Sequence, residues 1–202
     1  MSKASRKAYF NEVANTWDER FCNLELLSLL EKLVPEFGLE LGQNILDVGT
    51  GTGVLIPYLI HVVGPSGSLT AIDCSEKMVQ ICRAKNWHLR NVTVQLQDVE
   101  EEDLQERSFD AVICFGSFPH FDEKEKALHN MNRALRPRGL LIIAHALTSE
   151  ELKAHHHNAS SAVANDIVPK EGEMVQLLQR TGFTKIRIKD EAGCYLCIST
   201  KE

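Results

Sequence analysis

Apolar and polar residues repeat with two different periods along the chain, and these periods predict the order of helices and strands. Stretches with apolar residues three or four positions apart predict helices, and short apolar runs between them predict buried strands. The predicted strands are Asn44–Val48, Ser68–Ile72, Val92–Leu96, Ala111–Gly116 and the run LLIIAHA that begins at Leu140. Strands that alternate with helices form mostly parallel sheets, so the pattern predicts an α/β fold.

Helical spacing is found before, between and after these strands. Residues 8 to 21 and Leu24–Val34 predict two helices before the first strand, the second ending at Pro35. The later predicted helices are Val54–Val63, Ser75–Lys85, Glu123–Leu135 and Glu173–Arg180.

The last strands and one turn complete the predicted sheet. Thr184–Asp190 and Cys194–Ser199 are joined by a tight turn at Gly193, so these two strands must be antiparallel. A turn at Pro137–Gly139 is predicted before the fifth strand. Cys194 and Cys197 should face opposite sides of one strand, so this C-x-x-C pair is poorly placed to bind a single metal ion. We expect the six cysteines to be mostly buried free thiols.

Composition narrows the class of protein. A chain of 202 residues that is 44% hydrophobic is long enough for one domain, residues 1–202, and short for two. The net charge of −6 makes nucleic acid an unexpected partner. The sequence has no run of 18 apolar residues and no apolar leader, which predicts a cytoplasmic protein without a membrane segment. We expect a monomer or a homodimer.

The stretch NILDVGTGTG, residues 44 to 53, carries the clearest chemistry. It predicts a buried strand with an acid at Asp47, followed by a tight turn with glycine at every second position: Gly49, Gly51 and Gly53. Glycine tolerates positive φ and lets a ligand lie against bare backbone. The N–H groups that begin the next helix should point at that ligand.

The spacing of this turn differs from that of a dinucleotide site. A dinucleotide fingerprint is G-x-G-x-x-G, whereas this turn is G-x-G-x-G with Asp47 two residues before it. An acid there would repel a diphosphate but could position an ammonium group. The stretch resembles the first motif of class I S-adenosylmethionine-dependent methyltransferases. Arg133 to Gly139 resembles the R-x-L-x-P-x-G turn of the same family, with Arg138 where a second glycine often lies.

The resemblance implies a fold and a cofactor site. The fold is Rossmann-like and doubly wound, with about seven strands that are mostly parallel and an antiparallel hairpin at the end. S-adenosylmethionine would have its methionine part at the glycine turn, its ribose on Asp73, and its adenine against Met78, Asp98 and Val99. The implied cofactor-binding residues are Tyr9, Trp17, Asp47, Gly49, Thr50, Gly51, Gly53, Asp73, Cys74, Met78, Asp98, Val99 and Phe115.

Two further segments are expected to wall the acceptor pocket. AYFNEVANTWDER resembles the N-terminal stretch of small-molecule methyltransferases of the ubiquinone and menaquinone biosynthesis type, in which an aromatic-bearing helix covers the cofactor. We call residues 1–40 the lid and residues 148–172 the cap. Tyr9, Phe10 and Trp17 could instead be ordinary core aromatics.

Histidines are the candidate catalytic residues. His120 follows the fourth strand and His145 ends the fifth, and either could act as a general base on an acceptor O–H or N–H. His155, His156 and His157 in the cap could, with His120 or His145, bind a divalent transition metal or a metal-bearing acceptor. Consecutive helical residues point about 100° apart, so at most two of the three share a face. The triplet could equally be solvated surface.

The sequence therefore favours methyl transfer from S-adenosylmethionine to a small-molecule acceptor. The alternatives are a metal-assisted methyltransferase, a protein that binds the cofactor without catalysis and serves a partner chain, and a nicotinamide-dependent oxidoreductase, which the glycine spacing disfavours.

Overall fold

Seven strands form one sheet in the computed structural model, which describes residues 3–101, 104–191 and 193–202. The spatial order is β3-β2-β1-β4-β5-β7-β6, in which β1 to β5 are parallel and β7 and β6 are antiparallel to their neighbours. The strands are β1 (Asn44–Val48), β2 (Ser68–Asp73), β3 (Val92–Leu96), β4 (Phe109–Phe115), β5 (Leu135–His145), β6 (Phe183–Glu191) and β7 (Cys194–Lys201). This arrangement confirms the predicted Rossmann-like sheet and its C-terminal hairpin.

Eight α-helices accompany the sheet in the described part of the chain. They are α1 (Lys3–Val13), α2 (Trp17–Phe21), α3 (Leu24–Leu33), α4 (Ile56–Val63), α5 (Glu76–Asn86), α6 (Lys124–Ala134), α7 (Ser149–Ala159) and α8 (Glu171–Arg180). None of the described helices is long and apolar enough to cross a membrane.

Two hydrophobic layers cover the sheet, one on each face. Residues of α3, α4 and α5 form one layer, and residues of α6 and α8 form the other. Strand β7 contributes to both, because Cys194 lies in the first layer and Cys197 in the second. Their placement on opposite faces is as predicted, and all six cysteines are free thiols.

The first predicted helix is interrupted. Helix α1 ends at Val13, a 3₁₀ turn covers Ala14–Thr16, and α2 begins at Trp17. The Thr16 hydroxyl donates to the carbonyl of Val13 at 3.3 Å, the kind of local bond by which threonine competes with regular helix. The lid therefore bends over the sheet. Met1 and Ser2 of the predicted lid lie outside the described residues.

The predicted turn at Pro137–Gly139 is wrong, because these residues belong to β5. The strand begins at Leu135 and bulges, so that Leu135 pairs with Phe109 and Leu140 with Ala111. The bulge places Arg138 at φ 66°, a left-handed conformation that glycine adopts more easily.

Candidate functional site

A cavity of about 600 Å³ lies at the carboxyl ends of β1, β2, β4 and β5. This is the edge at which ligands bind in open parallel sheets. Strand ends and the glycine turn line one part of the cavity, which we call the cofactor half. Lid and cap residues close the rest, which we call the acceptor half.

The three glycines of the turn have different surroundings. All have positive φ, at 73°, 56° and 88° for Gly49, Gly51 and Gly53. A Cβ added at Gly51 would meet no atom within 4 Å, whereas one at Gly49 would lie 2.3 Å from Cβ of Ser117. Gly53 does not line the cavity; a Cβ there would lie 2.8 Å from Sγ of Cys82 on α5. Gly49 and Gly51 thus belong to the cavity wall, and Gly53 allows α5 to pack closely.

Asp47 and Thr50 present buried polar atoms that have no hydrogen-bond partner among the described residues. Asp47 is 2% exposed, and its Oδ2 is unpaired, as is Oγ1 of Thr50. Burial raises the pKa of Asp47 to about 7, although the nearby Thr50 side chain lowers it, and the Asp73 carboxylate adds a smaller increase. Buried polar atoms are nearly always hydrogen-bonded in proteins, so these two atoms mark a place where a polar ligand group fits.

Asp73 lies at the end of β2 and is held by the backbone. Its Oδ2 accepts the Gly51 N–H at 2.9 Å and its Oδ1 accepts the Ser75 N–H at 2.8 Å. Burial raises its pKa. A carboxylate oxygen has more than one lone pair, so both oxygens keep acceptor capacity toward the cavity.

The remaining residues that the resemblance assigned to the cofactor lie nearby. Met78 and Val99 are buried, at 1% and 4% exposed. Asp98 accepts the Glu100 N–H at 2.9 Å. All of these residues line the cavity, as do Thr50, Cys74 and Phe115.

The lid is attached to the cofactor half by apolar and polar contacts. Tyr9, Phe10 and Trp17 pack around Met78 together with Val13, and all three aromatic side chains line the cavity.

Two lid side chains, Asn11 and Asp18, hydrogen-bond to the glycine turn and to the start and end of α5. Asp18 accepts hydrogen bonds from Thr52 in the glycine turn at 2.5 Å and from Lys85 on α5 at 2.7 Å. Asn11 accepts from the Ser75 hydroxyl at 2.8 Å.

Three histidines come together in the acceptor half. The ring centroids of His120 and His156 are 4.8 Å apart, and both residues line the cavity together with His145. His145 is 2% exposed, and its Nε2 has no partner among the residues that the structure describes; burial, with smaller effects from His120 and His156, lowers its pKa to about 3. His145 is therefore neutral at physiological pH.

His120 is bonded to a carboxylate that the sequence analysis missed. Its Nδ1 lies 2.8 Å from Oδ2 of Asp166, which is 3% exposed. Arg6 of α1 donates to the same carboxylate, from Nη2 to Oδ1 at 2.7 Å, and also contacts Asp122. Burial lowers the pKa of His120. Residues 6, 120 and 166 share no motif; the only sequence signal was that lid and cap should both wall the acceptor pocket.

The three consecutive histidines of α7 diverge, as helical geometry requires. His156 is buried and its Nδ1 donates to the backbone carbonyl of Asp166, His155 is exposed at the cavity edge, and His157 is exposed away from the cavity. No group of three or more His, Cys, Asp or Glu in the described ranges is arranged to hold a metal ion. The histidines hypothesised to bind a metal are therefore not arranged as a set of metal ligands.

Comparison with known proteins identifies the family. Residues 39–189 match the model of a methyltransferase domain. The chain belongs to this methyltransferase family. Its sheet order, glycine turn and strand-end acids are those expected of the class I S-adenosylmethionine-dependent group, and the resemblance found in the sequence is confirmed.

Individual relatives agree with this assignment. Demethylmenaquinone methyltransferase of Staphylococcus aureus is 32% identical over 112 residues, which are 55% of this chain and 46% of that protein. The match thus spans less than half the length of this curated relative. A crystal structure of an S-adenosylmethionine-dependent methyltransferase from Aquifex aeolicus has a TM-score of 0.76 and 27% identity, covering 95% of this chain and 98% of that one.

A more distant structure shares the fold. Phosphoethanolamine N-methyltransferase 2 of Haemonchus contortus, in complex with phosphomonomethylethanolamine and S-adenosylhomocysteine, has a TM-score of 0.67. It is 20% identical and covers 80% of this chain, which corresponds to 38% of that protein.

Proposed function

We propose that this protein transfers the methyl group of S-adenosylmethionine to a small-molecule acceptor, with both ligands in the cavity described above. One observation carries the proposal. The residues that the family uses for the cofactor and a cluster of neutral imidazoles line the same cavity. S-adenosylmethionine, when bound, supplies a methyl group on a positively charged sulfur.

The residues of the cofactor half fit that molecule. The unpaired Oδ2 of Asp47 and Oγ1 of Thr50 suit the ammonium group of its methionine part. Gly51 leaves room for the chain of the ligand against the backbone. Asp73 would accept from the ribose hydroxyls, and Met78 and Val99 would pack against the adenine.

The acceptor half fits a small and largely apolar molecule. Phe10, Phe21 and Phe121 line the cavity, together with Leu147 and Leu152. An apolar pocket aligns the acceptor and limits its contact with water, and these two effects supply much of the rate in methyl transfer. His120 would serve as general base where the acceptor must lose a proton.

Binding of the cofactor is the first test. We expect calorimetry to show S-adenosylmethionine binding to the wild type and at least a 10-fold weaker affinity in Asp73→Ala. Asp110→Asn is a matched control, because Asp110 lies at the opposite end of the sheet, where it accepts from the Asn44 N–H and from Arg136. Unchanged affinity in a folded Asp73→Ala variant would contradict the site.

Acceptor transfer is the second test. Incubation with S-adenosylmethionine and a panel of phenols, quinols, amines and thiols, read by mass increase and by S-adenosylhomocysteine formation, should identify the acceptor class. The similarity to demethylmenaquinone methyltransferase makes quinol-like compounds the first to try. Failure of every acceptor to raise S-adenosylhomocysteine formation above background, with the cofactor bound, would favour the non-catalytic alternative.

A further inference from the structure

The Asp166 side chain, just behind the acceptor half, bonds to two residues that line the cavity, and the proposed function does not yet use it. Its carboxylate is 3% exposed and is bonded to His120 on one side and to Arg6 on the other. Its backbone carbonyl accepts from Nδ1 of His156. One residue of the cap therefore contacts the lid, the loop after β4 and helix α7.

We propose that Asp166 is a positioning residue that fixes the tautomer and orientation of His120, and that Arg6 of the lid completes this arrangement. The proposal rests on the proposed function for its chemistry. It adds that the acceptor carries a proton which must be removed, on oxygen, nitrogen or an acidic carbon. An acceptor that is already a free nucleophile, such as a thioether or a tertiary amine, would not need this arrangement.

The bond to Asp166 decides which nitrogen of His120 is available. A carboxylate only accepts, so Nδ1 of His120 must carry the hydrogen in the 2.8 Å contact. The lone pair of the neutral ring is then on Nε2, at the opposite edge of the imidazole. The ring centroid of His120 lies 5.0 Å from that of Phe10 and 4.8 Å from that of His156, and contact with these two rings limits rotation of the imidazole. His120 is thus held as a base with one defined basic atom.

The proton balance of the transfer follows from this geometry. The X–H bond of the acceptor breaks and its proton moves to Nε2 of His120. The electron pair left on X forms the bond to the methyl carbon, and the methyl–sulfur bond breaks with its electrons remaining on sulfur. The imidazolium that results lies against the Asp166 carboxylate, which stabilises its charge.

Five groups set the proton affinity of His120. The Asp166 carboxylate raises its pKa, whereas burial has the largest effect and lowers it. Arg6 and Lys124 also lower it, and the neutral rings of His145 and His156 lie near it. Removing Asp166 and removing Arg6 should therefore move the His120 pKa in opposite directions.

Nitrogen NMR of the histidine side chains tests the proposal without an acceptor. In protein labelled with ¹⁵N-histidine, and with signals assigned by single histidine variants, we expect neutral His120 to be protonated at Nδ1. In Asp166→Asn the amide can accept or donate, so the two tautomers should mix and the pKa should fall. Arg6→Gln should keep the Nδ1–H form and raise the pKa. Asp122→Asn is the matched control, since Asp122 contacts Arg6 and not His120.

The outcomes separate the two proposals. A wild-type His120 protonated at Nε2, or an Asp166→Asn variant with unchanged tautomer and pKa, would overturn the role of Asp166, whatever the cofactor data show. Absence of S-adenosylmethionine binding would overturn the proposed function and leave the tautomer measurement valid.

With an acceptor available, Asp166→Asn should lower kcat about 10- to 100-fold at unchanged KM for S-adenosylmethionine. The acid limb of its pH profile should shift to lower pH, and that of Arg6→Gln to higher pH; unmoved limbs would refute the proposal.

Discussion

The two halves of the cavity are built in different ways. In the cofactor half, the main polar side chains are Thr50 and the carboxylates Asp47, Asp73 and Asp98, and each carboxylate lies within two residues of a strand end. In the acceptor half they are imidazoles with the Arg6–Asp166 ion pair, drawn from the lid, two strand ends and the cap. The cofactor half depends on the sheet, while the acceptor half depends on segments that pack against each other above it.

The difference shows where each half can tolerate change. Strand-end residues keep their place as long as the sheet forms. The acceptor half keeps its geometry only if α1, α7 and the segment around Asp166 dock correctly. Changes in the acceptor half should therefore alter acceptor chemistry with little effect on the cofactor.

Replacement of His120 should give the largest effect and tests this division directly. We expect His120→Gln to lower turnover about 10²- to 10⁴-fold, because a general base contributes that much. S-adenosylmethionine affinity, measured by calorimetry, should change less than about 3-fold, since the cofactor half is untouched. The exposed His88 provides a control in His88→Gln. Equal losses of turnover and cofactor affinity would mean that the halves are not separate.

Asp47→Asn should separate binding from stability in the cofactor half. The folded pKa of Asp47, about 7, lies above its unfolded value of 3.8, so its favourable contribution is present below 3.8 and lost as pH rises through 7. At pH 8 the ionised Asp47 carboxylate destabilises the folded wild type. Without ligand, Asp47→Asn should therefore be more stable than the wild type by about 1 to 3 kcal/mol in free energy of unfolding. Cofactor affinity should fall about 10- to 100-fold. Urea unfolding and calorimetry at pH 8 measure both; a less stable variant would contradict the assigned charge.

His145 should make the acceptor half acid-sensitive. Its folded pKa of about 3 is below the unfolded value of 6.5, so its contribution is present above 6.5 and lost as pH falls toward 3. The expected slope is at most about 1.4 kcal/mol per pH unit. His145→Gln should lose less unfolding free energy between pH 7.5 and 5 than the wild type. Equal losses would indicate that His145 is protonated in the folded protein.

The smallest effect is expected at the start of α7. Thr148 and Glu151 form a capping box, in which the Thr148 hydroxyl accepts the Glu151 N–H and the Glu151 carboxylate accepts the Thr148 N–H. Thr148→Ala should cost about 1 kcal/mol and should speed amide exchange in α7. Cofactor affinity should stay the same, and a loss there would show that the cap supports both halves.

The sequence was most informative where function is local. The acid and the three glycines lie within seven residues of β1 and its turn, so their spacing carried the family resemblance that implied the cofactor class. Asp73 could be inferred because a crossover helix and a parallel strand return the chain to the same edge. Gly53 was the exception, since only its contact with Cys82 reveals a packing role.

The acceptor half could be predicted only in outline. His120 and His145 followed from their positions at strand ends. Asp166 and Arg6 did not, because 160 residues separate them and no periodicity joins them. The bulge in β5 was missed for a related reason, since Pro137 and Gly139 are turn residues in most contexts and their pairing depends on the neighbouring strand.

The lid has contacts in both halves: Arg6 with Asp166, and Asn11 and Asp18 with α5 and the glycine turn. Movement of the lid would therefore expose both halves of the cavity at once. A lid that swings open as a unit would release the demethylated cofactor and the methylated product in the same event. The rate of that opening would then set an upper limit on turnover. A solvent of higher viscosity should then slow steady-state turnover while leaving a single enclosed round of transfer unchanged.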